Sequence, residues 1–462
     1  MYIIFIVLLY ILLHFYYGEY YPKIWPDEVL FSSAAKNFAF SNQLKTDVLE
    51  GIVYGMDKAT LWMTPLYLVF LSFVYRIFEE SLIVGRSFSL IIGILSLLLY
   101  YKVFLRITKD RQISLFFMFL LSIEHSFIRS GNIIRMEILN LFFVFSTIYF
   151  LEKRKENLIG ISLGLAGLTH PISLFLVLIF FLYITDYKKI VKIAMIALLV
   201  MSPWFYYLFQ HLEIFKFQFL SQLSRKTSHY DLKSLIYFIK VIGGQFQSNV
   251  NFILVYLFYI YTFIIGILNV NSYPKKYLIM TLVVFAFVFF SSESWYVVYI
   301  FPFMFLLLGI TLVYSKNLKK QVLTFSFLII FTIQINLIYK LQSQKGLYNY
   351  EYELFINFLN KNLEDCKTVF LQSIPDPYFH LERNKIYKEF PPYGLFFNRS
   401  TSLYSLQRLE TYKQIDCFVI SDQIKSDKEL EELFHRFKGE KILFPDFSLL
   451  PTGFVYKVNK VE

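Results

Sequence analysis

Apolar residues run along most of this chain in long blocks, and polar residues gather in the short breaks between them. The blocks are Met1–Tyr17, Leu61–Phe78, Leu82–Tyr101, Ile113–Ile128, Ile138–Leu151, Leu158–His170, Ile172–Thr185, Ile190–Phe209, Asn251–Val270, Leu278–Phe290, Val297–Tyr314 and Gln321–Tyr339. Crossing a bilayer takes roughly 17–25 apolar residues in helical form. The pattern therefore predicts an α-helical polytopic membrane protein, in which the shorter blocks thin the bilayer or borrow polar flanks. Met1–Tyr17 lacks a basic leader and a small-residue cleavage site, so it reads as an uncleaved first span.

The basic clusters set the orientation. They are Lys102/Arg106/Lys109/Arg111, Lys153/Arg154/Lys155, Lys188/Lys189/Lys192, Lys275/Lys276 and Lys316/Lys319/Lys320. Positive residues collect on the cytoplasmic side. All five clusters fit there if Met1 is inside and Leu61–Phe78 lies along the outer face as a juxtamembrane helix. Thr64-Pro65 at its start and Arg76-Ile-Phe-Glu-Glu80 at its end suit that placement. About eleven crossings result. The polar remainder, 340–462, mixes short apolar runs (Thr368–Leu371, Cys417–Ile420, Phe454–Tyr456) with a charged helical stretch, Lys425–Lys438. It reads as a small α/β domain, placed by parity on the outer side. The division is thus 1–339 for the membrane unit and 340–462 for an extracytoplasmic domain.

Composition agrees with the pattern. The chain has 462 residues, of which 56% are hydrophobic and only 17% charged, against ~25% charged in a soluble domain. The net charge of +11 sits in the clusters just named. It therefore marks membrane orientation rather than a nucleic-acid partner. The two cysteines, Cys366 and Cys417, would pair in an oxidising compartment; two buried free thiols fit the sequence equally well.

The outer breaks hold the chemistry. Trp25-Pro26-Asp27-Glu28 follows the first block, and Asp57-Lys58 lies in the same loop. Arg86 opens the next span, Arg129 to Glu137 form the second outer loop, and Thr169-His170-Pro171 is the third. The fourth carries Lys216, Arg225, Lys226, His229 and Lys233; the fifth is Ser291–Tyr296, whose Trp295-Tyr296 fits an interfacial aromatic belt. Carboxylates at a membrane face are costly unless used. One of them can act as general base on a hydroxyl or amine, while cations hold a phosphate and the charge it gains on leaving. A sugar carried on a lipid phosphate needs that combination.

The order of these features resembles the GT-C superfamily of polyprenyl-phosphate-dependent glycosyltransferases, in the branch of protein O-mannosyltransferases and aminoarabinose transferases. The matching series is Asp27-Glu28, Ala34-Ala35, Gly51/Gly55, Lys58 with Thr64-Pro65-Leu66-Tyr67, Gly85-Arg86 to Gly93, Asn132 to Glu137, and Gly160 to His170. It covers roughly the first 310 residues and departs from the family pattern at Thr64, Glu137 and His170. The resemblance implies an inverting transfer on the outer face of a bacterial inner membrane. Its donor is a polyprenyl-phosphate sugar, and its acceptor is lipid A, another glycan or a protein. It implies Asp27 as base, Glu28 and Glu137 as further catalytic carboxylates, and Lys58, Arg86, Arg129, Arg135 and His170 as substrate-binding. It leaves a divalent metal open, with Asp27 and Glu137 as its candidate ligands. From other classes, a lipid-linked saccharide transporter would place ionisable groups near the midplane with repeat symmetry. An O-antigen ligase or polymerase would use the late loop with Arg225 and His229.

Overall fold

The computed structural model describes residues 1–227, 248–291, 293–315, 319–390, 402–422, 430, 434 and 436–459. A first helix, α1 (Tyr2–Tyr17), leads to α2 (Pro26–Ser41), α3 (Leu66–Phe78), α4 (Leu82–Thr108), α5 (Arg111–Ser122) and α6 (His125–Gly131). Next come α7 (Glu137–Lys153), α8 (Glu156–Thr169), α9 (Phe175–Phe181), α10 (Tyr187–Gln210) and α11 (Leu212–Thr227). The membrane unit closes with α12 (Asn249–Leu268), α13 (Lys276–Ser291), α14 (Ile300–Tyr314) and α15 (Lys319–Asn362). Local chemistry sets many of the starts. Ser81, Asp110, Glu124, Asp186 and Ser248 each accept a hydrogen bond from a first-turn amide, which satisfies donors that have no helical partner.

Five helices among the described residues are long and apolar enough to cross a membrane, and the bent pair α5–α6, turned by 64°, makes a sixth. The shorter apolar helices include α1, α3, α13 and the segment Pro171–Phe181. The sequence count of about eleven crossings included short runs of this kind and the partners α7 and α8. At 13 residues, α3 is only ~20 Å long, too short for ~30 Å of hydrocarbon. It packs along α2, in keeping with a helix lying on one face.

Helices α7 and α8 fix the two ends of the bundle. Glu137 begins α7 and Lys153 ends it; α8 returns to Thr169. At the basic end, Glu156 holds Lys192 at 2.9 Å and Lys189 at 3.6 Å, and Glu152 holds Lys276 at 3.1 Å. Three of the five basic clusters therefore meet at one end, opposite Glu137. Gly160 and Gly164 let α10 approach closely: a Cβ on either would lie under 3 Å from α10 atoms. This is the small-residue packing common between helices in lipid.

α15 runs past the membrane unit into a five-stranded sheet, ordered β2-β1-β3-β5-β4. Its strands are β1 (Thr368–Gln372), β2 (Ile386–Glu389), β3 (Cys417–Ser421), β4 (Gly439–Leu443) and β5 (Gly453–Val458), with α16 (Ser402–Lys413) between β2 and β3. β1 pairs in parallel with β2 and β3, while β5 is antiparallel to β3 and β4. Most of Lys425–Lys438 lies outside the described residues. Cys366 and Cys417 form a disulfide between the segment that joins α15 to β1 and strand β3, deciding between the alternatives the sequence left open.

The sheet sits directly on the Asp27 loop. Phe370, Phe418 and Tyr412 share one apolar cluster with Val29, Leu30 and Val53. The Asp376 amide donates to the Ile24 carbonyl at 2.9 Å, and Lys388 Nζ donates to the Asp47 carbonyl at 3.0 Å. Gly51, at φ +74°, meets Thr411 of α16 where a Cβ would lie within 2.2 Å of the threonine hydroxyl; only glycine fits both demands. The C-terminal domain and the acidic pair thus occupy the same face.

Candidate active site at the acidic end of the bundle

Pro26 starts α2, and its fixed φ suits the first helical position. The Glu28 carboxylate turns back to accept the Trp25 amide at 3.1 Å. That capping places Asp27 and Glu28 on the first turn, where the helix dipole favours negative charge. From there the two side chains diverge.

Glu28 is fully buried. Arg86 grips both its oxygens, Nε at 3.0 Å and an Nη at 2.7 Å, and the Ile134 amide adds a third donor at 3.0 Å. Arg86 also donates to the carbonyls of Gly18 at 3.0 Å and Pro22 at 3.1 Å. Asn132 reaches the carbonyls of Gly18 and Tyr21, each at 2.8 Å. This cluster ties the end of α1, the start of α2, α4 and the loop of Asn132 and Ile134 into one knot, with the guanidinium turned inward.

Asp27 points into a second cluster. Arg135 bridges it to Glu137, bonding Asp27 Oδ2 on one side and Glu137 on the other at 2.7 Å. Asp27 keeps 13% of its side chain exposed, against 2% for Glu137. Burial works against charge on Arg135, yet the Glu137 carboxylate outweighs it and the guanidinium is held above its ordinary value. Burial likewise pushes Glu137 up, but Arg135 holds it below the usual range. Each partner thus favours the charged form of the other.

Aromatic rings wall this cluster. The Arg129 guanidinium lies 3.5 Å from the Trp295 ring centre and Arg135 lies 4.7 Å from it. His170 meets Tyr296 edge-on at 4.8 Å, and its Nδ1 accepts the Ile172 amide at 2.9 Å. Trp295 and Tyr296, expected in an interfacial belt, are instead buried inside the site. The sequence contained no signal for this, because a Trp-Tyr pair in a short loop looks the same in either setting. Phe31 links the cluster to a groove: it lies 6.0 Å from Arg135 and meets Trp62 edge-on at 5.8 Å.

Trp62, Thr64 and Pro171 line that groove, which runs on over Val177, Phe181 and Met201 with a volume of about 630 Å³. Its lining is almost wholly apolar. The Thr64 hydroxyl is buried at this groove with no hydrogen-bond partner among the described residues.

Lys58 is placed apart. It is exposed and lines a separate cavity of about 710 Å³ with Asp57, Trp204 and His211. His229 and Lys233 lie outside the described residues. No group of three or more His, Cys, Asp or Glu among the described residues is arranged to hold a metal. Asp27 Oδ2 and both Glu137 oxygens accept from Arg135, so a guanidinium engages these oxygens.

A bundle of apolar helices, with an acidic–basic cluster at one end and a sheet domain over it, is the fold that the GT-C resemblance implies. Residues 4–232, which include Asp27, Arg135 and Glu137, match the family model for dolichyl-phosphate-mannose-protein mannosyltransferase. The fold is similar to ArnT from Cupriavidus metallidurans bound to undecaprenyl phosphate, with a TM-score of 0.69 at 12% identity, covering 99% of this chain and 98% of that one. It is also similar to the archaeal oligosaccharyltransferase AglB from Archaeoglobus fulgidus, with a TM-score of 0.56 at 13% identity over 99% of this chain and 74% of that one. An uncharacterised protein of Aquifex aeolicus (strain VF5) is 26% identical over 227 residues; the match spans 45% of this chain and 43% of that relative.

Proposed function

We propose that this protein transfers a sugar from a polyprenyl-phosphate carrier to an acceptor at the membrane face bearing Asp27. The observation that carries the reading is the contact chain Asp27–Arg135–Phe31–Trp62, which joins an ionised cluster to an apolar groove. A carrier lipid needs both: a dry channel for the isoprenoid tail and cations at its mouth for the phosphate. ArnT and AglB, whose folds this chain shares, were captured with undecaprenyl phosphate and dolichol phosphate respectively.

Asp27, the more exposed carboxylate of the cluster, takes the proton from the acceptor hydroxyl or amine. The acceptor atom attacks the anomeric carbon. The bond from that carbon to the phosphate oxygen breaks, and its electron pair leaves with the polyprenyl phosphate. Attack opposite the leaving group inverts the anomeric centre. Arg135 and Arg129 receive the negative charge that builds on the phosphate, and His170 sits beside Pro171, which lines the groove. Glu137 keeps Arg135 charged and aimed. Glu28 and Arg86, with their hydrogen-bonding capacity spent on each other and on backbone, position the loop rather than touch the phosphate.

We infer further that this face is extracytoplasmic and that the basic turns face the cytoplasm of a bacterial inner membrane. The Cys366–Cys417 bond lies in the domain packed on the Asp27 loop, and disulfides persist in oxidising compartments.

The test is transfer itself. Membranes holding the protein, given a polyprenyl-phosphate sugar, transfer it; the Asp27→Asn protein, accumulated to the same level, transfers none. Mass spectrometry of envelope glycans and glycoproteins from a deletion strain then identifies the missing sugar and its acceptor. Undiminished transfer by Asp27→Asn overturns the assignment.

A further inference from the structure

A second polar cleft lies where the sheet domain meets α2 and the first outer loop. It encloses about 410 Å³, within the ~300–1,000 Å³ of small-molecule sites. Three rings, Tyr378, Phe379 and Tyr387, form one side, with Tyr378 edge-on to both others at 5.2 and 5.6 Å. The rest of the lining is strongly charged. Lys36 pairs with Glu80 at 2.8 Å and Lys388 with Glu50 at 3.2 Å. The Lys385 ammonium is turned away onto the carbonyls of Leu363, Glu364 and Cys366.

Arg383 is the exception. One Nη donates to the Glu80 carbonyl, and the guanidinium meets no carboxylate among the described residues. It is exposed at the cleft. Aromatic faces beside alternating charges suit the C–H and O–H faces of a sugar ring. A guanidinium without a carboxylate suits a further anionic group, since its fork matches carboxylate or phosphate in two bonds. The cleft is separate from the Asp27 cluster but shares its helix. Lys36 lies nine residues beyond Asp27 on α2, ~13 Å along the axis.

We propose that this cleft is a binding site for an anionic saccharide, a sugar bearing a carboxylate or phosphate, with Arg383 and Lys36 on the anion and Tyr378 and Phe379 against the ring. Taken with the proposed transfer, on which this clause alone rests, the sugar is a residue of the acceptor held away from the reacting group.

Binding is measured directly on the purified full-length protein in detergent, by calorimetry or saturation-transfer NMR. The probes are glucose 6-phosphate, glucuronate, glucose and inorganic phosphate. The charged sugars are expected to bind at least tenfold more tightly than glucose or phosphate alone. Arg383→Ala, a change at a solvent-exposed side chain, should weaken them at least tenfold with an unchanged melting temperature. Asp27→Asn should bind as the parent does, so the cleft and the transfer reaction stand or fall separately. Equal binding by Arg383→Ala and the parent, or phosphate binding as tightly as glucose 6-phosphate, overturns the proposal.

Discussion

Glu28 and Arg86 form a closed pair: two carboxylate oxygens meet two guanidinium nitrogens at 2.7 and 3.0 Å, with both side chains out of solvent. Asp27, one residue earlier, faces a different cation and keeps contact with water. Neighbours in sequence thus carry separate tasks.

The first prediction separates those tasks. Glu28→Gln leaves Arg86 buried without its counter-ion, which costs about 3–5 kcal/mol. It should lower the melting temperature and the yield of monodisperse protein in detergent. Asp27→Asn removes a partly exposed group and should leave the melting curve nearly unmoved. Its transfer rate should fall by about 10²–10⁴-fold, the usual worth of a general base. Thermal unfolding and transfer assays on the two variants check the contrast. A stable, active Glu28→Gln protein would contradict the knot described here.

Trp295 offers a second test. Its ring faces Arg129 at 3.5 Å and Arg135 at 4.7 Å, and a desolvated cation–ring contact contributes about 2 kcal/mol. Trp295→Ala should raise the KM for the lipid-phosphate donor by roughly 30-fold, the equivalent of that energy, while Trp295→Phe keeps most of the affinity. A residue that merely sat at the bilayer surface would show no such difference.

Stability should depend on pH through Asp376 and Glu389, which are buried against each other where the sheet docks on the Asp27 loop. Burial pushes Asp376 up to about 7, and burial together with Asp376 pushes Glu389 well above its ordinary value. Unfolded carboxyls release their protons near pH 4, whereas the folded pair holds them longer. Between about pH 4 and 7 the unfolded chain therefore binds fewer protons, and stability falls as pH rises. The melting temperature should be higher at pH 5 than at pH 7.5, and Glu389→Gln should flatten that dependence. An unchanged slope in Glu389→Gln would assign the pH response to other groups.

The disulfide closes a loop between residues 51 apart in sequence, for which chain entropy gives about 4 kcal/mol of stabilisation. Cys366→Ser with Cys417→Ser should lower the melting temperature, and the parent protein should offer no thiol to a maleimide probe unless reduced. Rapid labelling of the unreduced parent would show the bond absent.

Orientation can be read by cysteine labelling in the double-serine background. Gly346 on α15 has open space where a Cβ would sit, and Arg154 lies in the basic turn after α7. An impermeant reagent applied from outside should label Gly346→Cys and spare Arg154→Cys. Labels on both from the same side would overturn the placement of the sheet domain.

The pattern along the chain was enough for the class of fold, the membrane environment and the acidic end of the bundle. Apolar blocks, basic turns and Asp27-Glu28 are local properties, and solvation energy acts on each where it stands. The sheet strands at Thr368, Cys417 and Phe454 were legible for the same reason. What tertiary structure decided was partnership. Whether Glu28 or Asp27 stays available depends on where Arg86 and Arg135 arrive, 58 and 108 positions away. Trp295 belongs to the site because its turn folds over Arg129, and Lys58 stands apart because its loop is held elsewhere, by Gln218 of α11 bonding the neighbouring backbone of Ala59 and Leu61. Long-range electrostatic pairing and helix packing settle such contacts, and neither leaves a mark on the residues immediately before and after.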